Sequence, residues 1–182
     1  MGKEHKLVRH LAVDAFLIAL YFVLGKLTFS VEPLRISFAL IPLLYAALSL
    51  DLYDGILIAL IGEFLLQLTG AYGLTPTTPL WLLPPLLRVI PVNLAEVFYR
   101  KRFSHLEAHK GFYFLFLMLG NLLTTGGNTL VMYLDGLIMN YPLEYTYLTV
   151  IYRLLLSLGM AVLSAIVLLP LMKATRGLEM NR

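Results

Sequence analysis

From Leu148 to Met172 the chain carries a single charged side chain, Arg153. That run constrains the fold more than any motif in the sequence. Hydrocarbon offers backbone amides no water, so a segment crossing it must satisfy them internally, as a helix does. A crossing takes about 20 mostly apolar residues at about 1.5 Å each. Six segments meet or approach that length: 11–31, 36–52, 55–72, 79–99, 112–132 and 148–172. They predict an all-α membrane protein, a six-transmembrane-helix bundle forming a single domain over 1–182. Composition agrees, since only 14% of residues are charged and 59% are hydrophobic, where soluble domains are about a quarter charged. Mean hydropathy is +0.81. There is no cysteine, which excludes disulfides, thiolate catalysis and cysteine-based metal sites. The first apolar stretch follows a basic tail and has no small-residue cleavage site behind it. It therefore reads as a retained helix and not a signal peptide. The tyrosine-rich stretch "YLDGLIMNYPLEYTY" (133–147) reads as a long connection at the membrane–water boundary.

Charge predicts the orientation. Lys3, Lys6 and Arg9 precede the first segment, Arg100, Lys101, Arg102 and Lys110 lie between the fourth and fifth, and Lys173, Arg176 and Arg182 follow the sixth. These are ten of the 14 basic residues. With six crossings they fall on one side, which the positive-inside rule makes cytoplasmic. Both termini are thus expected in the cytoplasm and the chain in the plasma membrane of a prokaryote.

Lys26, Arg35, Arg88 and Arg153 remain. Walking the segments from their assigned sides brings Arg35, Gln67, Trp81, Asn128 and Arg153 to the outer half, with Glu63 and Arg88 deeper. A charge at the bilayer centre costs at least ~2.5–3.5 kcal/mol, so such residues face a cavity or a partner. Polar groups from several helices therefore predict a cationic, aromatic-lined cavity open to the outside. Arg35 and Arg153 are candidates to clamp a carboxylate, whose geometry the planar guanidinium matches. The alternative for either is snorkelling to the interface. Glu63 and Arg88 read as an internal ion pair joining two helices, with Arg88 also a candidate for the ligand.

The segment "GAYGLTPTTPLW" (70–81) is punctuated by glycine and proline and ends in the only tryptophan, so it could cover a cavity, with Tyr72 and Trp81 stacking on a flat ring. An ordinary turn with interfacial aromatics is the other reading. "PPLLRVIP" (84–91) invites a kink, and "GNLLTTGGNTL" (120–130) weakens a helix near Asn128. "HLEAH" (105–109) lacks the H-E-x-x-H spacing and reads as solvated surface. No catalytic set, phosphate loop or nucleotide motif is present, so the chain is expected to be no enzyme, with no metal, cofactor or nucleic-acid partner of its own. Ala15 and Ala19, four apart, form a small-residue face on which another helix could pack closely.

These residues resemble a family. The six short helices, the small-residue face and the outward cavity are similar to the S components of energy-coupling factor (ECF) vitamin transporters. Within that group "LRISFALIP" (34–42) resembles the Arg-Ile-Ser-Phe stretch of the folate-type branch, "NTL" (128–130) its Asn-Thr-Leu, and Arg153 an arginine of its sixth helix. Glu63 stands where that branch usually has an aspartate. The chain departs from it at "LDLYD" (50–54), usually Phe-Gly-Pro, and at Pro84, Pro85 and Arg88, usually small residues. The resemblance implies a subunit that captures a B-group vitamin outside the cell, folate first, with another small acidic vitamin such as pantothenate as the alternative. It implies docking through Ala15 and Ala19 on a transmembrane coupling subunit, with two cytoplasmic ATPases using the ATP. Arg35, Gln67, Tyr72, Trp81, Arg88, Asn128 and Arg153 would then face the vitamin. A non-transporting scaffold of the cell-shape machinery, of similar size and helix number, is the competing reading and predicts no ligand.

Overall fold

A computed structural model describes residues 3–31, 34–70, 73–103 and 108–180. Helix α1 (Lys3–Lys26) is followed by a two-stranded antiparallel ribbon, β1 (Thr28–Val31) and β2 (Leu34–Ser37). Then come α2 (Leu40–Ser49), α3 (Leu52–Leu68), the single turn α4 (Thr78–Trp81), α5 (Leu83–Arg102), α6 (Lys110–Met139) and α7 (Glu144–Met180).

Among the described residues four stretches are long and apolar enough to cross a bilayer: Val8–Lys26, Thr78–Arg102, Lys110–Met139 and Thr146–Thr175. Their outer faces are apolar, with Leu148, Ile151, Leu155 and Ile166 exposed along α7. Such a surface suits lipid and would be a liability in water.

The bounds of the expected second segment, 36–52, are corrected. Its first residues belong to the ribbon, where Ile36 pairs with Phe29 and Arg35 with Ser30. The helix that follows has 10 residues, about 15 Å or half of the hydrocarbon thickness. Its apolarity serves a different end. Leu43, Leu44, Ala46 and Ala47 are fully buried, and α2 packs against α1, α3, α5 and α7. A helix apolar on every side is stable when other helices surround it. Its C-terminal carbonyls are held by Asn93 of α5, whose Nδ2 donates to Ala47 O and Leu50 O, each at 2.9 Å. Ser49 Oγ, at the same end, donates to Met172 Sδ of α7 at 3.1 Å.

Other boundaries move as well. The expected long connection at 133–147 is mostly helix: α6 runs to Met139, stops at Asn140 in the left-handed conformation (φ 57°), and α7 begins at Glu144. Asn is one of the few residues that ends a helix this way. The double glycine 126–127 leaves α6 continuous. Gly120 and Gly127 instead let α5 approach: a Cβ on Gly120 would lie 2.8 Å from Val92 Cγ2, and one on Gly127 2.5 Å from Leu87 Cδ1. Pro84 and Pro85 open α5 at positions where a missing N–H costs little.

The bundle is solid at one end and hollow at the other. The core gathers α2 with the first turns of α3, the second half of α5, the start of α6 (Tyr113, Leu117) and the end of α7 (Leu168, Met172). That is the end where α1 starts, α5 ends, α6 starts and α7 ends. The opposite ends of the same helices surround a cavity.

Candidate functional site: a polar cavity at one end of the bundle

The cavity has a volume of about 590 Å³. Every long helix turns one regularly spaced stripe towards it. Helix α1 presents Tyr21 and Gly25, followed by Thr28 of β1; α3 presents Glu63, Leu66 and Gln67; α6 presents Asn121, Thr124, Thr125, Asn128 and Met132. Helix α7 presents Arg153, Leu156, Ser157 and Met160, the i, i+3, i+4, i+7 pattern of one helix face. Helix α5 adds Pro84, Pro85 and Arg88, α4 adds Trp81, and the ribbon adds Ile36 and Ser37.

Six of the residues singled out from the sequence thus line one cavity: Glu63, Gln67, Trp81, Arg88, Asn128 and Arg153. Tyr72 and the Arg35 side chain lie outside the described residues. The Arg35 backbone is in β2 and not at the start of a helix, because 34–37 pairs with 28–31. Ala15 and Ala19 are exposed on α1, on the side away from buried Asp14, Leu17 and Tyr21.

The expected Glu63–Arg88 ion pair is not formed. Glu63 Oε2 accepts the Tyr21 hydroxyl at 2.7 Å, and Oε1 accepts Gln67 Nε2 at 2.7 Å. Both carboxylate oxygens therefore have neutral donors, one from α1 and one a turn along α3. Tyr21 reaches Glu63 because Gly62 leaves room for its ring: a Cβ there would lie 2.5 Å from Tyr21 Cδ1. Arg88 stays within electrostatic reach of Glu63 and Tyr21, while its Nε is buried without a hydrogen-bond partner. Ser157 Oγ is likewise buried and unpartnered, with the residue only 6% exposed.

Sequence reasoning missed Tyr21, Asn121, Thr124 and Ser157. Asn121 and Thr124 bond back to carbonyls four residues earlier, Leu117 O at 3.0 Å and Gly120 O at 2.7 Å. Hydroxyls and amides that can do this are tolerated anywhere in a membrane helix, so they carry little signal by themselves. The segment entering α4 is knotted by threonines: Thr75 N donates to Thr78 Oγ1 at 2.8 Å, and the Thr75 and Thr77 hydroxyls lie 3.0 Å apart. That knot places Trp81 at the cavity. Among the described residues no group of acids and histidines could hold a metal ion.

Two solved structures share this fold. One, the S component of a bacterial ECF transporter, superposes with a TM-score of 0.66 at 16% identity, covering 97% of this chain and 99% of that one. The fold is that of an S component. The other, an S component for biotin from an ECF-type ABC transporter, gives a TM-score of 0.61 at 18% identity, covering 95% of each chain. No family model and no curated protein matches the sequence.

Proposed function

We propose that the chain is the substrate-binding S component of an ECF-type importer. It captures an acidic B-group vitamin outside a prokaryotic cell, with folate the first candidate, for ATP-driven uptake. The supporting observation is the cavity: about 590 Å³ within an S-component fold, with Arg88 and Arg153 on its walls. Pockets for small organic ligands commonly measure about 300–1,000 Å³. Two guanidinium groups against the single carboxylate of Glu63 leave the lining with excess positive charge, which an acidic ligand balances. In this reading six helices form the membrane bundle and both termini are cytoplasmic, so the cavity end faces outward. Ala15 and Ala19 meet the transmembrane coupling subunit, and two ATPases in the cytoplasm supply the energy. The chain itself catalyses nothing and carries no cofactor.

Biotin is a second candidate because one of the two similar structures is an S component for biotin, and pantothenate is a third. A scaffold of the cell-shape machinery has no use for a polar cavity of this size. The test is calorimetric titration of the purified protein in detergent with folate, biotin, pantothenate, thiamine and riboflavin. The reading expects one acidic vitamin to bind saturably, and Arg153→Ala to weaken it roughly 10–100-fold, the worth of a hydrogen-bonded charge. Tight binding of thiamine would retain the transporter and remove the carboxylate clamp. Absence of any binding by folded protein would remove the transporter as well.

A further inference from the structure

The wall between α1 and α3 has a chemistry that binding an acid does not use. A carboxylate oxygen accepts and does not donate. The Gln67 amide must therefore turn its NH2 towards Glu63, at 2.7 Å, which leaves its carbonyl oxygen as the other polar atom. Tyr21 has given its one proton to Glu63, so its oxygen has only lone pairs to offer. Each Glu63 oxygen has accepted one donor from these two and keeps capacity for another. Tyr21, Glu63 and Gln67 all line the cavity, and together they present it with acceptors. The α5 wall differs in kind, since Arg88 brings it a guanidinium, which donates and does not accept.

We propose that the ligand is two-ended: an N–H-rich head, of the cyclic urea, amidine or aminopyrimidinone class, donates to Glu63, and its acidic part answers the guanidinium of Arg88. Glu63 is then the specificity-determining residue, and Tyr21 and Gln67 are positioning residues that hold its carboxylate in one orientation. The inference rests on the capture reading above and narrows its ligand class. Neutral donors suit this role. A direct pair with Arg88 would neutralise the carboxylate and occupy its lone pairs, whereas a phenol and an amide fix it and leave it able to accept more.

The test titrates the full-length wild-type protein in detergent with two acids that carry paired N–H donors, folate and biotin, and two that carry none, lipoate and nicotinate. Folate or biotin is expected to bind, and lipoate and nicotinate at least about 10-fold more weakly. Glu63→Gln keeps the shape but turns an NH2 towards the head, and is expected to weaken binding roughly 10–100-fold. Tyr21→Phe, which frees the carboxylate to rotate, is expected to weaken it less. Lipoate or nicotinate binding as tightly as the N–H-bearing acids would overturn the inference and leave the capture reading standing. So would pantothenate as the sole ligand, or unchanged affinity in folded Glu63→Gln. Failure of every vitamin to bind would overturn both. The wild-type comparison needs no variant, so it decides even where Glu63→Gln does not fold.

Discussion

Replacing Gly62 by alanine tests how the cavity wall is assembled. Alanine would normally stabilise a helix position by about 0.5–1 kcal/mol over glycine. Here the new Cβ would lie 2.5 Å from Tyr21 Cδ1, 3.0 Å from Cγ and 3.1 Å from Cε1. Carbon atoms rest about 3.5–4.0 Å apart, so the ring must retreat by about 1 Å or more. A retreat of that size strains or breaks the 2.7 Å bond from the Tyr21 hydroxyl to Glu63. Overpacking costs about 1–3 kcal/mol and loss of a hydrogen bond to a charged group about 1.5–3 kcal/mol. Set against the helix gain, Gly62→Ala should destabilise the protein by about 2–5 kcal/mol. At roughly 2–4 °C per kcal/mol for a chain of this length, the apparent Tm in detergent falls by roughly 4–20 °C, readable from the emission of Trp81. The decisive control is a double-mutant cycle with Tyr21→Ala. Once the ring is gone the Cβ has space, so Gly62→Ala should then cost nothing or stabilise slightly. Equal destabilisation with and without the ring, or none in either, would refute the argument that this glycine seats Tyr21.

Two further outcomes follow from the fold. Asn93→Ala strips the donor from Ala47 O and Leu50 O at the buried end of α2. It should cost about 2–4 kcal/mol, measured by thermal unfolding, with ligand affinity in the surviving folded fraction unchanged because Asn93 does not line the cavity. Ala19→Leu enlarges an exposed position on α1 and should leave both unfolding and vitamin binding as they are. The proposed docking on a coupling subunit expects it to lower vitamin uptake several-fold in cells that carry the protein; unchanged uptake would remove that face from the proposed contact.

The cavity lining was more legible than the helix bounds. Glu63, Gln67, Arg88, Asn128 and Arg153 stand out because each interrupts an apolar segment, and lipid tolerates such groups only where they face protein or a cavity. The structure brings all five to one cavity. Tyr21 carried no such mark, since a tyrosine in an apolar helix is unremarkable until its neighbour across the interface is known. The length of α2 was hidden for a related reason. Lipid tails are as apolar as a protein core, so a short helix buried on all sides and a helix facing lipid read alike. The ribbon merged with the flanking helices because Phe29 and Val31 extend the apolar run before it and Ile36 the one after it. Its signal was Pro33, which disfavours helix at the residue before it and separates two short runs containing β-branched Thr28, Val31 and Ile36.

The division of the bundle into a solid and a hollow half bears on how a ligand could be held. Arg88 Nε and Ser157 Oγ are buried without partners, and each such group costs about 1–3 kcal/mol. A structure keeps such groups only where the surrounding packing over-determines their positions. That packing is close at hand: Arg88 precedes fully buried Val89, and Ser157 is followed one turn later by Ala161, also fully buried. The glycine crossings at 120 and 127 tie α5 to α6 beside them. The polar groups therefore project from helices anchored in the solid half and do not need to be ordered by the ligand. A ligand that enters the cavity therefore spends little on organising the protein around it.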